Sequence, residues 1–196
     1  MVFDLLDADL TFDQQWPALE KLNGIVWVND DKLRIESSSV KTRDIVVSDV
    51  VVTGEAVNDE YLLQVSTEFR DQAEHALDYL RKTPIADLNP ELIKQLTISG
   101  ELSTELLLQI PIKKDSVDVE YEVELHTHNN DLELPDYFLK FEQVAGSVNF
   151  SSKTGITSKK FSATFLEEPV TGFVGSALVN GKPSTTSIEL KGTTEL

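Results

Sequence analysis

The stretch from Val117 to Leu125, VDVEYEVEL, puts Val117, Val119, Tyr121, Val123 and Leu125 on one side and Asp118, Glu120, Glu122 and Glu124 on the other. Successive side chains of a strand point to opposite faces, so strict alternation describes a strand with one wet face and one dry face. The dry face needs a cover, and a second sheet, a helix and a lipid chain are the candidates. The pattern recurs. Tyr61, Leu63, Val65 and Phe69 share a phase against Gln64, Ser66 and Glu68, and Leu102, Leu106, Leu108, Ile110 and Ile112 oppose Glu101, Ser103, Glu105 and Gln109. The run DIVVSDVVV from Asp44 to Val52 is apolar on both faces and reads as a central strand or one beneath a helix. Turn chemistry divides these runs at NDDK from Asn29, at Asn58-Asp59, at HNND around Asn130, at the EEP ending on Pro169 and at Asn180-Gly181. About a dozen short strands with short connections favour antiparallel pairing.

Two segments carry helical spacing. RDQAEHALDYLRK, about 70–82, places Ala73, Ala76, Leu77 and Leu80 on one face, with Arg81 and Lys82 late and Pro84 beyond its end. NPELIKQL offers Asn89 as N-cap and Pro90 at the first helical position of a short helix, about 90–96. So few turns cannot be the main cover of so much strand. The expected fold is therefore mainly β: antiparallel sheet bent lengthwise into an elongated trough or open sandwich.

A chain of 196 residues, 40% hydrophobic, can fill one sizeable core or one elongated β structure. Its formal charge of −17 disfavours nucleic acid and anionic membrane surfaces as partners. The absence of cysteine removes disulfides, thiolate zinc sites and cysteine nucleophiles. No apolar run approaches the roughly 18 to 20 residues that span a bilayer, and the N-terminal MVFDLLDADL lacks the basic start and apolar stretch of a secretion signal. If the parent protein is anchored or exported, this chain is expected to be an internal fragment of it.

Candidate chemistry is sparse. His126 and His128 share a strand phase with Asp118, Glu120, Glu122 and Glu124, but an acidic exposed face has the same look without a metal. Glu167-Glu168 reads as a turn, His75 as a helix-surface residue, and Lys159-Lys160 as too small a basic cluster for nucleic acid, able at most to steer an anionic headgroup. No phosphate-binding glycine loop, nucleophile elbow or zinc-protease helix occurs. The expectation is a non-enzyme without catalytic residues, metal or cofactor.

An internal repeat sharpens the fold. Leu22-Asn23-Gly24-Ile25-Val26-Trp27-Val28 parallels Val144-Ala145-Gly146-Ser147-Val148-Asn149-Phe150, with Leu33 and Ile156 opening the strand after each. A glycine is tolerated where a strand bends or bulges. The expected organisation is one β-rich section of a larger repeat protein, with quasi-repeats at about 16–69 and 137–194 flanking a middle segment, 70–136.

WPALEKLNGIVWVNDDKLRI, LDYLRKTPIADL, ISGELSTELLLQIPIK and LELPDYFLKFEQVAGSVNFSSKTGITSKKFSATFLEEPV, taken in order, resemble successive segments of the YhdP branch of the AsmA-like family of Gram-negative envelope proteins. The marks are Trp16-Pro17, Gly24, Thr83-Pro84, Gly100, Ile110-Pro111-Ile112, Leu134-Pro135 and Gly146. The resemblance implies a periplasmic section of an inner-membrane-anchored protein that bridges the two membranes and conducts phospholipid along an apolar β-groove. Its implied partners are phospholipid acyl chains, neighbouring repeats of the same parent chain and other envelope proteins. The groove floor it implies is Val26, Val28, Leu33, Ile35, Leu63, Val65, Leu106, Leu108, Ile110, Val119, Tyr121, Val123, Leu125, Val148, Phe150 and Ile156. The competing expectation is a structural or protein-interaction β-sandwich whose apolar face is wholly buried.

Overall fold

The computed structural model describes residues 1–57, 60–112 and 119–192. Val117 and Asp118, which open the alternating run, and Asn58-Asp59 lie outside the described residues. The chain is mainly β, and among the described residues 14 strands form one open antiparallel sheet in the order β1-β2-β3-β5-β6-β8-β9-β10-β12-β13-β14, with β4 beside β3, β7 beside β9 and β11 beside β10. By its internal contacts the chain divides into two compact units, 1–69 with 105–122 and 70–104 with 123–196.

The first unit is built on β1 (Val2–Leu10), β2 (Leu19–Asn29), β3 (Lys32–Thr42), β4 (Ile45–Val47), β5 (Val50–Val57) and most of β6 (Glu60–Gln72). Asn29 pairs with Lys32 across a two-residue turn, with Asp30 left-handed at φ 52°, so NDDK is a hairpin. DIVVSDVVV is no continuous buried strand. It breaks at Asp49, left-handed at φ 56°, into β4 and β5, and Val46 is 63% exposed. Trp16 is buried, 5.9 Å edge-on to Tyr121 and 6.1 Å from Phe12 between ring centroids.

In the second unit β6 ends and α1 (Ala73–Leu80) begins three residues later than its sequence implies, because the polar Arg70, Asp71 and Gln72 extend the strand. The N–H of Ala73 donates to Gly100 O at 2.8 Å, a bond across sequence that holds the junction. α1 buries Ala73, Ala76, Leu77 and Leu80, the four residues its periodicity selects. A 3-10 turn, Pro84–Leu88, leads into α2 (Pro90–Gln95), where Asn89 Oδ1 accepts from the N–H of Leu92 at 3.2 Å as the N-cap. Then come β7 (Thr97–Ser99), β8 (Glu101–Ile112), β9 (Glu120–Leu134), β10 (Leu139–Ser151), β11 (Gly155–Ser158), β12 (Phe161–Phe165), β13 (Glu168–Val179) and β14 (Lys182–Gly192).

HNND is not a turn. β9 runs through it for 15 residues, and the alternation slips by one position there: Tyr121, Val123 and Thr127 are buried before it, Asn130 and Leu134 after it. The buried Asn130 amide pins the slip, donating to Ser99 O at 2.7 Å and Glu101 O at 3.1 Å while its Oδ1 accepts from the N–H of His128 at 3.2 Å. The other hairpins follow their sequences. Phe165 pairs with Glu168 around Leu166-Glu167, and Val179 with Lys182 around Asn180-Gly181, with both turn residues at positive φ in each case. The core of this unit gathers Phe141, Val144, Phe161, Ala163 and Val170.

Candidate functional site: an apolar cleft

In the first unit, strand register collects the expected floor residues into two rows. Val26 pairs with Ile35, Ile35 with Val52 and Val52 with Val65, while Val28 pairs with Leu33, Leu33 with Gly54 and Gly54 with Leu63. Because side chains alternate, each row lies on one face of four adjacent strands. Val52 and Gly54 complete the rows and were not singled out from sequence; β5, which carries them, lies between β3 and β6, the central place read for the valine run. At Gly54 an added Cβ would stand 2.7 Å from the Tyr61 hydroxyl and 2.8 Å from Leu63 Cδ2, so the second row closes only over a missing side chain. Val26, Val65, Leu108, Ile110 and Tyr121 are buried; Val28, Leu33, Ile35, Leu63, Leu106 and Val119 are half-buried. Val119 lies just outside β9, and Ile112, which shares the predicted β8 phase, is exposed.

The second unit holds a cleft of about 130 Å³. Its sheet side comes from five neighbouring strand positions: Leu125, Thr127, Leu132 and Leu134 of β9; Phe141, Val144, Gly146, Val148 and Phe150 of β10; Ile156 of β11 and Phe161 of β12; Val174 of β13; and Ile188 of β14. Leu92, Ile93 and Leu96 from α2 and the chain after it, with Ile98 of β7, line the rest. Among the described residues of this lining, Thr127 carries the one polar side chain, and its hydroxyl donates to Gly146 O at 3.2 Å. The wall therefore offers a guest no free hydrogen-bonding side chain. Gly146 lets β12 approach: a Cβ there would meet Phe161 Cβ at 2.7 Å and Phe161 Cα at 3.0 Å.

Leu125, Val148, Phe150 and Ile156 are the expected floor residues that meet in this cleft; Val123, one strand repeat earlier on β9, is buried. The residues that sequence reasoning missed are Leu132, Leu134, Phe141, Val144, Phe161, Val174 and Ile188, and the helical cover. For Leu132, Leu134, Phe141 and Val144 the signal was present as spacing in LELPDYFLKFEQVAG, but the supposed turn at HNND separated that stretch from the strand before it.

The opposite face is charged. Glu124 bonds Lys159 Nζ at 3.4 Å, and a hydrogen bond from Ser147 holds its carboxyl below the ordinary value near 4.5, with Lys159 adding to the effect. Lys159 of the basic pair is thus engaged by an acid of its own chain. Lys140 reaches Glu142 at 2.7 Å, which raises its ammonium pKa. His126 is half-buried on β9, His128 is exposed, and His75 Nδ1 lies 3.0 Å from Asp71 on the helix surface.

The family described as "YhdP protein" matches residues 1–196. The chain belongs to the YhdP family. It is 22% identical over 166 residues to the protein named "Intermembrane phospholipid transporter YhdP" of Escherichia coli strain K12, a match covering 85% of this chain and 13% of that protein. The chain thus spans about an eighth of its YhdP relative. No solved structure matches. No helix among the described residues is long and apolar enough to cross a membrane.

Proposed function

We propose that this chain is a section of a periplasmic conduit, within an inner-membrane-anchored envelope protein of a Gram-negative bacterium, that carries phospholipid acyl chains between the inner and outer membranes in an apolar β-groove. The observation that carries the reading is the cleft of the second unit, whose lining offers hydrocarbon contact and no free polar side chain. At about 130 Å³ it is close in size to an apolar cavity of about 150 Å³ that stays dry and admits benzene. Each methylene moved there from water contributes about 0.8 kcal/mol, so a few methylenes hold a chain without fixing it, which is what passage along a groove needs. The phospholipid named for the relative supplies the guest.

The same reading makes the chain one stretch of a repeat protein, its copies at 16–69 and 137–194 set about a middle segment at 70–136, with neighbouring repeats and other envelope proteins as partners. Supporting it, Lys21 and Gln143 are both left-handed at φ 53°, three residues before Gly24 and Gly146, and the N–H of each donates at 3.2 Å to an aspartate twelve residues earlier, Asp9 or Asp131. Register shifts fall at both places, between Asn23 and Gly24 and between Glu142 and Ala145.

The test is organic extraction of the purified chain followed by mass spectrometry, for the parent and for Val148→Trp, which fills the cleft with an apolar ring. Phospholipid bound to the parent and reduced at least several-fold in the folded variant is expected. Lipid absent from both this chain and a longer one would favour the structural, partner-binding module.

A further inference from the structure

α2 is too short to persist by itself, since isolated helices below about 12 residues are marginal in water. Its last carbonyls have no partners within the helix. Arg81, at the C-cap of α1, supplies them: its Nε donates to Ile93 O at 3.2 Å, and its Nη2 to Lys94 O at 3.1 Å and Leu96 O at 2.7 Å. One guanidinium thus gathers the carbonyls at the end of the segment whose Leu92, Ile93 and Leu96 line the cleft. A second tie is lighter, the N–H of Asp136 donating to Gln95 Oε1 at 3.0 Å. Arg81 also lines a neighbouring cavity of about 320 Å³, and Ile98 and Leu132 are walls of both cavities. The partition between the small apolar cleft and a larger cavity with Arg81, Lys140, Glu74, Asp131 and Glu133 on its lining is therefore the paired positions Ile98 of β7 and Leu132 of β9, and α2 faces the cleft alone.

We propose that α2 is a hinged cover on the apolar cleft, latched by Arg81, and that release of the latch opens the cleft to an acyl chain. This rests on the acyl-chain reading of the cleft. The latch suits its task, because charge-assisted bonds to backbone carbonyls are strong enough to hold a short helix, and an exposed guanidinium regains water when it lets go. The apolar face of α2 then competes with the guest for the same wall. Arg81 is a positioning residue, acting through α2.

The experiment uses the purified chain and a twelve-carbon fatty acid bearing a diazirine at its methyl end, photolysed and mapped by mass spectrometry. Arg81→Ala is expected to raise labelling of β10 and β11 around Phe150 and Ile156 at least five-fold, and to speed amide exchange of Ile93 and Leu96 by about ten-fold. Arg81→Lys, which keeps the charge and loses the planar fork, should fall between. Because the chain has no cysteine, Gln95→Cys with Asp136→Cys gives one unique pair; bridging it with a bis-methanethiosulfonate, which forms a disulfide with each thiol and releases sulfinate, should block labelling, and reduction should restore it. Labelling of Phe150 and Ile156 at the parent rate in Arg81→Ala and in the bridged pair would overturn the latch and leave the acyl-chain reading standing. No labelling of the cleft in any variant, the reduced pair included, would overturn that reading as well.

Discussion

At the scale of single residues, the groups that decide this structure are polar ones placed where a strand pattern has no use for them. Asn130 is 1% exposed and makes three hydrogen bonds to backbone from its one amide. Removing it leaves Ser99 O and Glu101 O without their buried donor and frees β9 to regain register. Asn130→Ala is expected to cost about 2 kcal/mol, and Asn130→Asp more, because a carboxylate would face two carbonyl oxygens. Urea titration followed by amide exchange at β7 and β9 measures both; a variant as stable as the parent would show the slip to be held elsewhere. Phe138 and Leu166 carry the opposite anomaly, both left-handed and 93% and 80% exposed, where glycine or asparagine would fit with less strain.

At the scale of elements, periodicity was readable wherever the partner of a side chain lay within its own strand or helix. The four buried residues of α1, the cap of α2 and the hairpins at Asp30, Glu167 and Asn180 all follow from neighbours in sequence. What failed depended on distant partners. Asn-Asn-Asp is turn chemistry, and only carbonyls 29 and 31 residues away make Asn130 a core residue. Arg70-Asp71-Gln72 resembles a helical first turn, yet the bond from Ala73 to Gly100 O fixes where β6 stops. Helices are too few to be the main cover, but the question is local: α2 and the residue after it supply the helical wall of one cleft. The cap that starts α2 is thus a control on the cover. Asn89→Ala is expected to lose about 1 kcal/mol of helix stability and to speed amide exchange across 91–96, with the hairpin at Asn180 unaffected. Equal acceleration in both places would mean that α2 opens only with the whole unit.

At the scale of the whole molecule, one separation along the chain links Asp9 with Asp131, Lys21 with Gln143, Gly24 with Gly146 and the closing hairpin pair Val57–Glu60 with Val179–Lys182. One device therefore recurs, once in each compact unit: an aspartate on one strand accepts from the left-handed residue of the next, and the sheet bulges before a glycine. The aspartate satisfies an N–H that the bulge removes from the ladder, so its loss should be felt where the bulge is. If each unit carries its own core, Asp9→Ala should accelerate exchange in β1 and β2 and leave β10 and β12 at parent rates, and Asp131→Ala should do the reverse. Each change is expected to cost about 1 kcal/mol, and the double variant the sum of the two, since residues without shared partners act additively. Acceleration of β10 and β12 by Asp9→Ala as great as that of β1 and β2 would show the units to be energetically one body. The conduit proposed above needs the local result, because a chain of near-independent units can yield locally to a passing guest without losing the fold of its neighbours.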